Sequence, residues 1–209
     1  MSLERAKKIK VLLFDVDGVL TDGTIWLQPA PAGSDSAAET SEQRAAKADK
    51  GGYGIVSSTV IEAKGFHAHD GSGISLAKLG GLKVGLITKR ISETVRLRAR
   101  DLRLDFCYQG QANKLIALGE ICAQAGVTED EVCYVGDDVI DIPVMRKVGL
   151  AVAVPNARQI VKNHAHFVTT CRGGEGAARD TIEYILEAQG TLEDAISAYI
   201  HERIEETVQ

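Results

Sequence analysis

The chain has 209 residues, 44% hydrophobic and 25% charged, with a formal net charge of -5; that suits one ordinary domain spanning 1–209 and excludes a disordered or fibrous polypeptide. No apolar run approaches the roughly 20 residues needed to cross a bilayer, and the opening MSLERAKKIK leads into a short apolar strand and not a secretory leader, so a cytoplasmic setting with no membrane partner is expected. The acidic balance offers no footprint for nucleic acid, so an anionic ligand must be gripped by local groups.

In chain order, KVLLFDV (10–16) reads as the first strand. GTIWL (23–27) and IVSSTVIEAKGFHAH (55–69) read as extended segments able to pair as a long hairpin. Their connection, 28–54, is rich in Ala, Ser, Gly and charge and is expected to be a flexible insertion. KVGLIT (83–88), EVCYVG (131–136) and LAVAV (150–154) are further strands, separated by amphipathic helices over 91–101, 111–125 and 140–148. The stretch 175–208 reads as two helices broken at Gly190, with Thr191 available as a cap. Such alternation predicts an α/β fold, a doubly wound parallel sheet covered on both faces, whose ligand sits beyond the carboxyl ends of the strands. Cys107, Cys122, Cys133 and Cys171 lack C-x-x-C spacing and read as buried thiols.

Polar residues at the strand exits are therefore the candidates for chemistry. FDVDGVLTDG (14–23) places Asp15 and Asp17 two apart, on one side of an extended backbone. A carboxylate that attacks phosphorus needs a neighbour to protonate the leaving oxygen and then to activate water, and such a pair suits both tasks. On its own, D-x-D-G is equally a polar strand exit. Thr88 in GLITKR stands where strand becomes loop, ready to donate to a phosphate oxygen or to cap the helix near Ile91. Lys114 stands near a helix start, where a cation opposes the helix dipole and calls for an anion; the alternative is a solvated surface lysine. YVGDDVIDIPVM (134–145) gathers Asp137, Asp138 and Asp141, a crowd that repels itself without a cation and suits magnesium. Acidic residues at a helix start are also favourable through the dipole alone.

Acidic pair, hydroxyl, lysine and acidic cluster, in that order and each at a strand mouth, resemble the four motifs of the haloacid dehalogenase superfamily. Within it the chain resembles the 3-deoxy-D-manno-octulosonate 8-phosphate phosphatase family, through DVDGVLTDG, HDGSGI, YQGQANKLIAL, VGDDVIDIPVM, RGGEGAARD and EAQG. The resemblance implies a projecting β-hairpin, no large cap domain, and a homotetramer in which neighbouring subunits close the site. It implies a magnesium-dependent phosphatase for a sugar-acid phosphate in lipopolysaccharide precursor synthesis. Asp15 would be the nucleophile and Asp17 the acid and base, with Thr88 and Lys114 holding the phosphoryl group. The metal would lie on the carboxylates of Asp15 and Asp137 and the main-chain carbonyl of Asp17, supported by Asp138 and Asp141. Arg90 and Arg172, able to grip a carboxylate with paired bonds, and Lys89 are the substrate-binding candidates.

The chain departs from the family pattern in three places. Lys89 stands where the family commonly has glycine between threonine and arginine, an added cation that the resemblance would place toward the substrate. His69 and Ser72 stand where arginine and tyrosine are frequent, and the insertion at 28–54 lies near the expected entrance. Competing readings are a phosphatase for a nonulosonate 9-phosphate or related sugar acid, a phospho-receiver, and an inactive scaffold. A receiver places its acidic pair and its phosphoacceptor on different strands, whereas Asp15 and Asp17 share one.

Overall fold

A run in which every side chain is apolar and inaccessible, Val11–Phe14, belongs inside a sheet covered on both faces. The computed structural model describes residues 2–30, 51–55 and 59–208. After a short helix, α1 (Ser2–Ala6), comes that run as β1 (Val11–Phe14); an antiparallel ribbon of β2 (Trp26–Pro29) and β3 (Val60–Ala63) follows. The chain then alternates through α2 (Ala68–Leu79), β4 (Lys83–Ile87), α3 (Glu93–Asp101), β5 (Phe106–Tyr108), α4 (Lys114–Ala125) and β6 (Val132–Gly136). It continues through α5 (Ile142–Met145), β7 (Leu150–Ala153), α6 (Gln159–Lys162) and β8 (Phe167–Val168), and ends in α7 (Ala177–Gln189) and α8 (Leu192–Val208).

Among the described residues the main sheet has the order β5-β4-β1-β6-β7-β8, with every pair parallel. This is the expected α/β sheet. β1 lies between β4 and β6, with Phe14 level with Leu86 and Val135, so the chain leaves all three strands at one end. α2 packs on α7 and α8, and α1 on α7, while α4 packs on α5. Gly73 lets α2 and α7 close up, since a Cβ there would sit 2.9 Å from Arg179 Cδ.

Several expectations need correcting. Among the described residues of the segment 55–69, which leave out 56–58, strand is formed over Val60–Ala63, and His69 lies in the first turn of α2. Ile142–Met145 is shorter than the helix expected over 140–148, because a 3-10 turn at Val139–Asp141 precedes it. β5 and β8, short edge strands, were not anticipated. α7 ends at Gly190 as expected, with φ +71°, but the Thr191 hydroxyl donates back to the Leu186 carbonyl at 3.5 Å. The cysteines are free, but only Cys133 is buried; Cys107 is exposed. Of the expected insertion 28–54, residues 31–50 lie outside the described ones.

Candidate active site

The first motif is shaped by the end of β1. Asp15 N donates to Val135 O at 2.9 Å, holding the residue in register with β6 after the strand has ended. The carbonyl of Val16 then accepts from Val19, Leu20 and Thr21 N at 3.2, 2.9 and 3.0 Å, which turns the chain away from the sheet. Gly18, at φ +90°, permits this turn, and a Cβ on it would lie 2.2 Å from Asp137 Oδ2. Glycine is what allows the loops after β1 and β6 to meet.

Where they meet, a buried lysine gathers carboxylates. Lys114 opens α4, with Asn113 as its N-cap accepting from Leu115 N at 3.2 Å. Its Nζ lies 2.9 Å from Asp15 Oδ1 and 2.8 Å from Asp141 Oδ1, and donates to the Tyr134 hydroxyl at 3.0 Å. Burial alone would pull this ammonium down, but the charges of Asp15 and Asp141 outweigh it and hold its pKa above the ordinary value. The lysine is therefore a protonated interior cation and not a solvated surface group.

Asp141 is saturated by protein donors. Its Oδ1 accepts from Lys114 and from the Tyr134 hydroxyl at 2.7 Å, and its Oδ2 from Asp137 N and Asp138 N at 3.0 and 3.1 Å. Asp15 Oδ1 is likewise held, by Lys114 and by Val16 N at 2.7 Å. Asp137 is different, because its buried Oδ1 has no hydrogen-bond partner. Ligand atoms of Asp15, Asp137 and Asp141 lie within 4.8 Å of one another.

An orphaned buried carboxylate oxygen costs free energy, and crowding by like charges adds to it. Burial, followed by the charges of Asp15, Asp141 and Asp138, pushes the Asp137 carboxyl up to about 8. Burial raises Asp15 to about 7 against the opposing pull of Lys114. A hard divalent cation held by oxygens removes both penalties, so these residues fit magnesium. Asp138 is exposed, caps the 3-10 turn by accepting from Val139 N at 2.7 Å, and lines the mouth of the cleft.

That cleft, of about 150 Å³, is lined by Asp15, Asp17, Tyr53, Thr88, Lys89, Arg90, Asp137, Asp138 and Ile140. Thr88 is buried at the end of β4, and its hydroxyl accepts from Arg90 N at 3.3 Å. The expected capping role is absent: α3 starts later, with Ser92 at its N-cap position. Asp17 is gripped by the buried Lys64 of the ribbon, and its Oδ2 lies 3.6 Å from Arg90 Nε. Glu62 binds both cations, pairing with Arg90 and lying 3.3 Å from Lys64 Nζ.

The structure thus brings Asp15, Asp17, Thr88, Lys89, Arg90, Lys114, Asp137, Asp138 and Asp141 to one end of the sheet. Arg172 does not line the cleft: its side chain is 62% exposed and pairs loosely with Glu175 at 4.0 Å. The glycines after it instead brace the loop that follows β1. Gly173 N donates to Asn156 Oδ1 at 2.8 Å, Asn156 Nδ2 donates to Gly18 O at 2.8 Å, and Gly174 N reaches Val19 O at 3.0 Å. Sequence reasoning missed Tyr53, Glu62, Lys64, Tyr134 and Asn156. Their one available signal was the charged pair Glu62 and Lys64 within a segment read as extended.

Comparison with known proteins agrees with this geometry. Residues 97–179 match a family described as haloacid dehalogenase-like hydrolase. The chain is similar to the 3-deoxy-D-manno-octulosonate 8-phosphate phosphatase KdsC of Escherichia coli strain K12, at 37% identity over 193 residues, 92% of this chain and 87% of that one. It is similar to the crystal structure of the corresponding phosphatase from Moraxella catarrhalis, in complex with magnesium, phosphate and a KDO molecule. There the TM-score is 0.76 at 30% identity, covering 94% of this chain and 97% of that one. A probable YrbI family phosphatase from Pseudomonas syringae pv. phaseolica gives 0.76 at 38%, covering 95% and 96%.

Proposed function

The chain belongs to the haloacid dehalogenase-like hydrolases, within the 3-deoxy-D-manno-octulosonate 8-phosphate phosphatase family, and on that premise we propose that it hydrolyses this sugar-acid phosphate to the free sugar acid and inorganic phosphate. The observation that carries the reading is the buried Asp137 oxygen without a hydrogen-bond partner, beside an Asp15 fixed by Lys114. It provides a cation site and a nucleophile in one place.

Magnesium would be held by the carboxylates of Asp15 and Asp137 with the Asp17 main-chain carbonyl, and when bound it supplies positive charge against the phosphoryl oxygens. Asp15 is the nucleophile. Lys114 and Val16 N hold its Oδ1, leaving Oδ2 with no hydrogen bond from the described residues. Attack forms an aspartyl-phosphate and breaks the bond from phosphorus to the sugar oxygen. Lys114 and the Thr88 hydroxyl oppose the charge that gathers on the transferring group, and both are locked in place beforehand. Asp17 protonates the departing oxygen, then takes a proton from the water that releases phosphate from Asp15. Asp138 and Asp141 keep the acidic loop in shape.

Arg90, Lys89 and Arg172 are the groups assigned to the sugar acid. The first two line the cleft; Arg172, exposed on the surface, would act toward a neighbouring subunit. A homotetramer is part of the reading. Its support is the ribbon, where Ile25, Trp26 and Leu27 stand 45%, 57% and 57% exposed, a patch suited to burial between copies. No helix among the described residues is long and apolar enough to cross a membrane, and the reading includes a cytoplasmic place in lipopolysaccharide precursor synthesis.

The test is phosphate release from a panel of sugar-acid phosphates, including a nonulosonate 9-phosphate, with and without magnesium. The expected result is magnesium-dependent turnover highest on 3-deoxy-D-manno-octulosonate 8-phosphate. Highest turnover on the nine-carbon ester would move the assignment to that substrate, and metal-independent inactivity on the whole panel would refute hydrolysis.

A further inference from the structure

The segment Gly51-Gly52-Tyr53-Gly54 places one aromatic residue among glycines, and the structure shows why. A Cβ on Gly52 would lie 2.3 Å from Gly110 Cα, and one on Gly54 would lie 2.5 Å from Ile91 O. Only a backbone without side chains at these positions can press so closely on the loops that follow β4 and β5. The contact is stapled: Ile91 N donates to Tyr53 O at 2.8 Å, and Tyr53 pairs with Arg90 as an isolated parallel bridge. Tyr53 is thereby delivered to the wall of the cleft that holds Asp15 and Thr88.

Two cations meet its ring. Arg90 Cζ lies 5.1 Å and Lys89 Nζ 5.5 Å from the ring centroid, both within the range of cation–π attraction. Their charges are balanced differently. Arg90 is bound by Glu62 and lies near Asp17, whereas Lys89, half-buried in the cleft, forms no ion pair among the described residues. An ammonium resting on an aromatic face keeps donors for an anion. Lys114 is already bound by Asp15 and Asp141, so Lys89, a cleft-lining cation without an ion pair among the described residues, suits an anionic group of the ligand beyond the phosphate.

We propose that Tyr53 and Lys89 form a selecting wall that recognises the carboxylate of the leaving group, with the ring of Tyr53 seating the Lys89 ammonium. This rests on the function proposed above and adds the residues that distinguish a sugar-acid phosphate from a neutral sugar phosphate. Tyr53 is a specificity residue that acts through Lys89, and it takes no part in the transfer itself.

The experiment compares kcat and KM of the unmodified enzyme, Tyr53→Phe, Tyr53→Leu, Lys89→Gln and the Tyr53→Leu/Lys89→Gln pair. The substrates are 3-deoxy-D-manno-octulosonate 8-phosphate and a neutral sugar phosphate of similar size, with thermal melting of each variant. Tyr53→Leu and Lys89→Gln should each lower the preference for the sugar acid by about tenfold, the worth of one charge-assisted contact, mainly through KM. Tyr53→Phe should keep the preference, and the double variant should lose no more than Lys89→Gln alone. Equal losses on both substrates, or a preference untouched by either substitution, would overturn the wall while leaving the function intact. Failure of the unmodified enzyme to hydrolyse any sugar-acid phosphate would refute both.

Discussion

Lys114 Nζ lies 2.8 Å from Oδ1 of Asp141, both side chains fully inside the protein, and the same nitrogen lies 2.9 Å from the proposed nucleophile, Asp15. Asp141 thus reaches the reaction through a lysine and through the main-chain amides of Asp137 and Asp138. In Asp141→Asn, one amide edge can accept from Lys114, but the other presents N–H groups to those two backbone donors. Leaving them unsatisfied costs about 1–3 kcal/mol, which in a domain of this size lowers Tm by about 2–12 °C. Melting should show that fall and kcat should drop at least about tenfold. A variant with unchanged Tm and kcat would remove Asp141 from this role.

Asp15→Asn should abolish turnover without loss of the fold. Burial raises the Asp15 carboxyl to about 7, so its charge is not a net source of stability in the metal-free protein, and Lys114 retains Asp141 as counter-ion. Circular dichroism and Tm near those of the unmodified protein, with phosphate release below about a thousandth, are expected. Hydrolysis at the original rate would reject Asp15 as the nucleophile.

The metal-free protein should lose stability as pH rises. Asp15 and Asp137 stand at about 7 and about 8, above an ordinary 3.8. The folded state therefore binds more protons than the unfolded one, and their effect on stability becomes more unfavourable from about pH 4 to about pH 8. Magnesium prefers the ionised carboxylates and offsets that loss. At a concentration a hundred times its Kd at pH 8 it adds about 2.7 kcal/mol, or about 5–11 °C in Tm, and at that same magnesium concentration the gain should be smaller at pH 5. Calorimetry at the two pH values checks this. A magnesium-induced shift that is equal, or larger in acid, would contradict carboxylate ligation.

Asn156 ties Gly18 to Gly173, accepting at one end and donating at the other, both at 2.8 Å. Asn156→Ala removes two bonds that hold the loop bearing Asp17, at a cost of about 1–3 kcal/mol. Because a loosened loop misplaces the acid more than it weakens substrate binding, kcat should fall by about ten- to a hundredfold with KM little changed. Steady-state kinetics decide it, and a variant with normal kcat would show the strut to be dispensable.

The sequence made the central strands and the carboxylate motifs legible for a physical reason. β1, β6 and β7 are buried along their whole length, so they read as unbroken apolar runs with polar residues at their exits. β8 spans only Phe167–Val168 and carries no such signature. The start of α2 was misread because Gly71 and Gly73 weaken the helical pattern, whereas they are tolerated as close-packing positions against Arg98 and Arg179. Tyr53 and Asn156 carry no local signal at all, and Lys64 carries only its charge two residues from Glu62. Their significance arises only when the ribbon, the segment 51–55 and the loop after β7 are brought to the cleft.

The most direct measurement is acid quench of the enzyme during turnover of a sugar-acid phosphate with magnesium, followed by peptide mapping. The expected result is a hydroxylamine-sensitive phosphoryl group on the peptide containing Asp15, absent from Asp15→Asn. Turnover with no phosphorylated peptide, or with the phosphoryl group on another residue, would contradict nucleophilic attack by Asp15.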